Sequence, residues 1–168
     1  MYSAGVLLYT KRKDEVYFLL GCDCKYQSWS DMGGKCDDSD RRDPLKTASR
    51  EFYEETCGII FSKQDIYKLL LKNGVKIECS SYKKNKYYMF LLEVFEHQFK
   101  SFDEIIRNFE LQAILINSKP PEVMRSFREK NQLRWFTLQD ILSNKIKIRG
   151  VFYYSFIHNL HVINEVCA

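Results

Sequence analysis

Gly33-Gly34-Lys35, followed after a polar loop by Ala48-Ser49-Arg50-Glu51-Phe52-Tyr53-Glu54-Glu55-Thr56-Cys57-Gly58, is the stretch that decides the fold. Glu51, Glu54 and Glu55 stand at i, i+3 and i+4, so a helix places the three carboxylates on one face. Like charges at that spacing repel and weaken the helix. A hard divalent cation with oxygen ligands offsets such a cluster. Leu45, Ala48 and Phe52 make the opposite face apolar. Asp43 suits the N-cap and Pro44 the first helical position, where its missing N–H costs nothing. Gly58 can close the far end in a left-handed conformation. The segment therefore reads as a helix of about three turns, anchored on one side and acidic on the other. Taken alone, Glu-x-x-Glu-Glu reads as the solvated face of an amphipathic helix. The glycine pair, the adjacent arginine and the matching caps turn the reading towards a site.

These residues resemble the Nudix box, G-x5-E-x7-R-E-U-x-E-E-x-G-U, in which U is a bulky apolar residue. Arg50-Glu51-Phe52-Tyr53-Glu54-Glu55 meets R-E-U-x-E-E at every specified position, and Gly33-Gly34 stands upstream as the motif requires. Two departures stand out. The motif puts its arginine fourteen positions after the glycine, whereas Arg50 stands sixteen after Gly34. Counting back from Arg50, the first motif glutamate falls on Arg42, and Asp40 is the nearest acidic substitute. At the far end Cys57 occupies the motif glycine and Gly58 comes one later, so the helix is expected to run one residue longer.

The resemblance implies an α+β fold, a Nudix-type α/β/α sandwich with a mixed β-sheet. It implies hydrolysis of the pyrophosphate bond of a nucleoside diphosphate linked to another moiety. Mg2+ or Mn2+ would be held by Glu51, Glu54 and Glu55, neutralising phosphate charge and activating a water. Arg50 would hold a neighbouring glutamate in its coordinating rotamer, and Gly33, Gly34 and Lys35 would border the substrate. Glu54 or Glu55 would take the proton, or a later acid would, with Glu110 and Glu129 as candidates and Glu104 behind them. The run Trp29-Ser30-Asp31-Met32-Gly33-Gly34-Lys35 is similar to Nudix proteins of large DNA viruses and some eukaryotes. Capped mRNA and general nucleoside diphosphate compounds rank together as substrates, ahead of diphosphoinositol phosphates. A Nudix-like domain that binds nucleotide or RNA without turnover is the alternative, favoured by the altered loop and disfavoured by the retained acidic triad.

The whole chain sets outer bounds. Its 168 residues suit a single domain over residues 1–168, and 45% hydrophobic with 15% aromatic residues supply a sizeable core. No apolar run is long enough for a transmembrane helix, and Met1 to Leu8 reads as a strand rather than a signal peptide. Cys22, Cys24, Cys36, Cys57, Cys79 and Cys167 show no zinc spacing and suit reduced thiols in the cytoplasm or nucleus. The net charge of +4 permits a polyanionic substrate without demanding one. Basic clusters stand at Lys11-Arg12-Lys13, at Lys83-Lys84-Lys86 flanked by Tyr82, Tyr87 and Tyr88, and at Lys145-Lys147-Arg149. Lysines beside aromatics suit phosphate and base contacts, although tyrosines beside a strand more often serve packing.

Strands are expected at Tyr2 to Thr10, Val16 to Gly21, Val75 to Ser80, Lys86 to Phe95 and Leu133 to Phe136, with Trp29 opening the strand that delivers the glycines. Helices are expected at Gln64 to Leu71, Phe102 to Ile116, and Leu138 to Leu142 capped by Thr137. A last helix is expected from Val151 to Val166, with Phe152, Phe156, Leu160 and Ile163 as its buried stripe. His158 and His161 lack a carboxylate partner for metal binding and read as surface or core residues.

Overall fold

A computed structural model describes residues 1–80, 85–98, 101–143 and 145–168. Tyr82, Lys83 and Lys84 of the second basic cluster lie outside the described residues. The elements in chain order are β1 (Tyr2–Arg12), β2 (Glu15–Asp23), β3 (Trp29–Ser30), β4 (Met32–Lys35), α1 (Pro44–Glu55), α2 (Lys63–Asn73), β5 (Val75–Ser80) and β6 (Lys86–Glu93). Then come α3 (Phe102–Asn117), β7 (Lys130–Thr137), α4 (Leu138–Leu142), α5 (Gly150–His158) and α6 (Leu160–Cys167).

The seven strands form one mixed sheet. β1 pairs in parallel with β6 from Tyr2 to Tyr9, and β6 pairs antiparallel with β5. The other edge of β1 is shared. Its end, Tyr9 to Arg12, pairs with β2 in a hairpin, while its start, Ser3 to Val6, pairs with β4. β1 and β2 thus part beyond the hairpin, and the β3–β4 segment fills the gap. This split places Gly33 opposite Gly5 and Gly34 opposite Ala4. β7 covers the far edge of β2.

Side chains alternate across the sheet, so each face has its own core. Ala4, Val6 and Leu8 of β1 pack with Phe52 of α1, Leu70 of α2 and Phe109 of α3. Leu7 and Tyr9 of β1 pack on the other face with Ile141 of α4, Phe156 of α5 and Ile163 of α6. The layers are therefore helix, sheet, helix, as expected. No described helix is long and apolar enough to cross a membrane.

Two expectations are corrected. The final helix is broken in two at Asn159, whose backbone leaves the helical region (φ −113°, ψ 15°). Its side-chain amide donates to the Ser155 carbonyl at 2.8 Å and to Cys79 Sγ at 3.4 Å, tying the break to β5. Nor does α1 run one residue longer. It ends at Glu55, and Cys57 itself adopts the left-handed conformation (φ 54°) ahead of Gly58 (φ 67°). Gly58 N–H closes the turn on the Tyr53 carbonyl at 2.8 Å. His158 and His161 are both exposed.

Candidate active site

α1 begins as its sequence dictates, with the Asp43 carboxylate accepting from Leu45 N–H at 2.9 Å and Pro44 at the first turn. The lengthened loop before it folds into a 3₁₀ turn, Asp38–Asp40, capped by Asp37. Arg41 and Arg42 then take left-handed conformations (φ 53° and 59°) and turn the chain back to Asp43. The two extra residues are thereby absorbed, and Asp40 points inward. It is 2% exposed and accepts from Arg50 Nε at 3.1 Å and Nη2 at 3.0 Å. Thr47 Oγ1 and Asp37 N–H also donate to its Oδ2, both at 2.9 Å. Burial alone raises its pKa, but these donors outweigh burial and hold it below the ordinary value. Arg42, at the motif position, is exposed. From this loop it is therefore Asp40, and not the residue at the motif position, that meets Arg50.

Arg50 uses its remaining donors on the helix and the glycine loop. Nη1 donates to Glu51 Oε1 at 2.8 Å and to Glu54 Oε2 at 3.4 Å, while Nη2 also donates to the Lys35 carbonyl at 2.9 Å. One guanidinium thus joins the 3₁₀ turn, the acidic helix face and β4, a geometry only a planar fork supplies. Burial works against the charge, yet the flanking carboxylates raise the Arg50 pKa further. The close approach of β4 to α1 needs Gly34, because a Cβ there would lie 2.5 Å from the Glu51 carboxyl carbon.

Glu55 faces inward and is 2% exposed. Its Oε2 accepts Gly33 N–H at 2.7 Å, and its Oε1 lies 3.6 Å from Lys130 Nζ. Lys130, also 2% exposed, donates to Ser30 Oγ at 2.8 Å, and its stem crosses Gly21. The sequence reading missed Lys130. It gives no local sign of burial, and only the pairing of β7 with β2 carries it inside. Of the later acids, Glu129 acts electrostatically on Glu51, Glu54 and Glu55, whereas Glu110 is exposed on α3.

Burial pushes Glu51 up to about 7 and Glu55 up to about 8, and raises Glu54 as well. Arg50 opposes the shift at Glu51 and Glu54, and Lys130 opposes it at Glu55. Among the described residues, Asp40, Glu51, Glu54 and Glu55 thus have Arg50 and Lys130 as their ion-pair partners. An all-oxygen cluster with excess negative charge and reluctant ionisation fits a hard divalent cation. The expected triad is not gathered in advance, however. Among the described residues no three acidic, histidine or cysteine side chains converge on one point suited to a metal. Glu51 and Glu54 turn to Arg50 instead, and Glu55 turns to Gly33 and Lys130.

On the opposite side of β4 lies a cavity of about 470 Å3, lined by Asp31, Gly33, Lys35, Tyr87, Arg149 and Phe152 among others. Asp31 is buried and accepts a hydrogen bond from the Tyr87 hydroxyl. Burial pushes its carboxyl up to about 6. Lys35 and Lys86 add positive charge to the cavity lining. Gly33 and Gly34 are shared between this cavity and the carboxylate cluster.

Neither a family model nor a curated protein sequence matches the chain. Solved structures do. A MutT/Nudix family protein from Listeria innocua is 13% identical with a TM-score of 0.55, over 98% of this chain and 94% of that one. The Nudix domain of Shewanella oneidensis NrtR, solved with ADP ribose, is 10% identical with a TM-score of 0.53, over 100% and 88%. A Caenorhabditis elegans Ap4A hydrolase is 18% identical with a TM-score of 0.50, over 100% of both chains. With the mixed sheet between two helical layers and the Arg50-centred helix beside the glycine strand, these likenesses establish that this chain has the Nudix fold.

Proposed function

We propose that the protein is a divalent-metal-dependent hydrolase of the phosphoanhydride bond in a nucleoside diphosphate linked to another moiety. The observation that carries this reading is the Arg50 junction, which holds Asp40, Glu51, Glu54 and the Lys35 carbonyl together beside the Gly33-Gly34 strand. Glu51, Glu54 and Glu55 are the residues that would hold Mg2+ or Mn2+. When bound, the metal neutralises charge on the diphosphate and lowers the pKa of a water at the cluster. The chain's own groups do the rest. Arg50 orients Glu51 and Glu54, and Glu55 fixes Gly33 through its N–H. Water oxygen bonds to phosphorus, the bridging P–O bond breaks, and its electron pair leaves with the departing phosphate. Glu54, the most exposed of the three, accepts the proton, with Glu129 nearby.

The cavity at Asp31 and Tyr87 is the place for the nucleoside, with Phe152 as its apolar wall and Lys35, Lys86 and Arg149 as its cations. The neighbours named for ADP ribose and Ap4A support a nucleotide-type substrate. Capped mRNA stays within this range because the same cations suit a 5′ phosphate chain. Six free cysteines suit a reducing compartment, cytoplasmic or nuclear. A second reading, nucleotide binding without turnover, is favoured by the hold of Arg50 on Glu51 and Glu54.

A panel of capped RNA, cap analogues, nucleoside triphosphates, dinucleoside polyphosphates, ADP-ribose and diphosphoinositol phosphates, incubated with Mg2+ or Mn2+, separates the two. Metal-dependent product release that Glu54→Gln abolishes while keeping its fold supports the hydrolase. Tight nucleotide binding by a parent protein that turns over nothing supports the binding domain.

A further inference from the structure

A second cavity, of about 330 Å3, opens between the 3₁₀ turn, α1 and α2. Ser39, Lys46, Lys63, Gln64 and Tyr67 line it, together with Asp40. Asp40 is already engaged by Arg50, Thr47 and the Asp37 backbone. The uncommitted charge is that of Lys46 and Lys63, neither of which forms an ion pair among the described residues. Lys63 lies near enough to Glu54 for its charge to favour the ionised carboxylate. Asp40, which lines the cavity and is bonded to Arg50, and Lys63, beside Glu54, join the cavity to the acidic helix face. Gln64 and Tyr67 supply neutral hydrogen-bonding groups, so the lining suits an anion with polar atoms around it.

We propose that this cavity is a second substrate subsite, in which Lys46 and Lys63 hold a phosphate-bearing second half of the substrate. The inference rests on the hydrolase reading and narrows its substrate class. The scissile diphosphate spans the carboxylate cluster, the nucleoside lies at Asp31 and Tyr87, and the other half carries further phosphate into the groove. Compounds whose second half is an uncharged sugar forgo these contacts.

The test compares the full-length parent with Lys46→Ala/Lys63→Ala. Lys68→Ala/Lys72→Ala removes the same charge from exposed positions of α2 outside the groove and serves as the control. Inorganic tripolyphosphate, titrated calorimetrically without metal, is expected to bind the Lys46/Lys63 variant about tenfold more weakly than the parent or the control. Equal binding by parent and Lys46/Lys63 variant overturns the subsite. In turnover with Mg2+, the variant is expected to raise KM for diadenosine tetraphosphate at unchanged kcat, and to leave ADP-ribose unaffected. Equal rises for both substrates, or none, also overturn it. If the parent hydrolyses no compound of the whole panel with Mg2+ or Mn2+, the hydrolase reading falls, and the calorimetry still decides whether the groove holds phosphate.

Discussion

Asp40 meets Arg50 through two hydrogen bonds, 3.1 Å from Nε and 3.0 Å from Nη2, although the loop between Gly34 and the helix carries two more residues than the motif it resembles. The carboxylate comes from a position two residues before the one the motif assigns. The Asp38–Asp40 turn and the left-handed pair Arg41-Arg42 shorten the loop's path, so a side chain two places early arrives at the arginine. Removing one partner of a buried ion pair leaves the other uncompensated, typically at a cost of about 3–5 kcal/mol. Asp40→Ala is therefore expected to lower the melting temperature and to free Arg50 to close over Glu51 and Glu54. Arg42→Glu, which restores the motif glutamate in sequence, is expected to change neither stability nor turnover, because Arg42 is exposed. Thermal melts and initial rates on the best substrate of the panel check both variants.

Local interactions explain why α1 could be read from the sequence and the break between α5 and α6 could not. The N-cap Asp43, Pro44 and the stripe through Ala48 and Phe52 all act within a few residues of one another, so sequence spacing carries them. The break at Asn159 leaves the apolar spacing of Phe152, Phe156 and Ile163 intact, and it is tied down from β5, far away in sequence. The role of Asp40 depends on turn geometry, and the burial of Lys130 on strand pairing. Neither property has a residue period. The acidic face was legible, but the orientation of its carboxylates towards Arg50 and Lys130 was not, because those partners were set by tertiary contacts.

Lys130 and Glu55 form a buried pair at 3.6 Å, each 2% exposed. Lys130→Met removes the cation and leaves Glu55 with the Gly33 N–H as its hydrogen-bond donor. The destabilisation is expected to be large at pH 9, where Glu55 must carry charge, and smaller at pH 5, where it holds its proton. Lys130→Met/Glu55→Leu removes the stranded charge as well, and is expected to recover most of the stability at pH 9, as replacement of buried ion pairs often does. Urea melts of the four proteins at both pH values give the coupling. An equal loss for Lys130→Met at pH 5 and pH 9 refutes the pairing.

Proton binding by the cluster sets a pH dependence for the metal-free protein. Glu51 at about 7 and Glu55 at about 8 both lie above their ordinary value of 4.5. Between pH 4.5 and pH 8 the folded state then binds more protons than the unfolded one, so stability falls as pH rises through this window. Asp40, held below its ordinary value, acts in the opposite direction and only in more acidic solution. The melting temperature in chelator is expected to drop by several degrees from pH 5 to pH 8. Mn2+ competes with those protons, and its stabilisation is expected to grow over the same interval. Melting curves with and without Mn2+ at each pH test this, and a Mn2+ effect larger at pH 5 than at pH 8 contradicts it.

Gly34 and Gly150 supply a contrast between a glycine the site requires and one it does not. A methyl at Gly34 meets the Glu51 carboxyl group at 2.5 Å, against a side chain already held by Arg50 at 2.8 Å. Either β4 retreats from α1 or Glu51 leaves Arg50, and both outcomes disturb the carboxylate cluster. Gly34→Ala is therefore expected to lower kcat at least tenfold, about 1.4 kcal/mol in barrier height, while the protein remains folded. A Cβ at Gly150 meets nothing within 4 Å, and the residue opens α5, where alanine is the better helix former. Gly150→Ala is expected to leave turnover unchanged and to raise the melting temperature slightly. Because the two substitutions add the same methyl group, an equal effect on kcat would place the sensitivity outside the contact between β4 and Glu51.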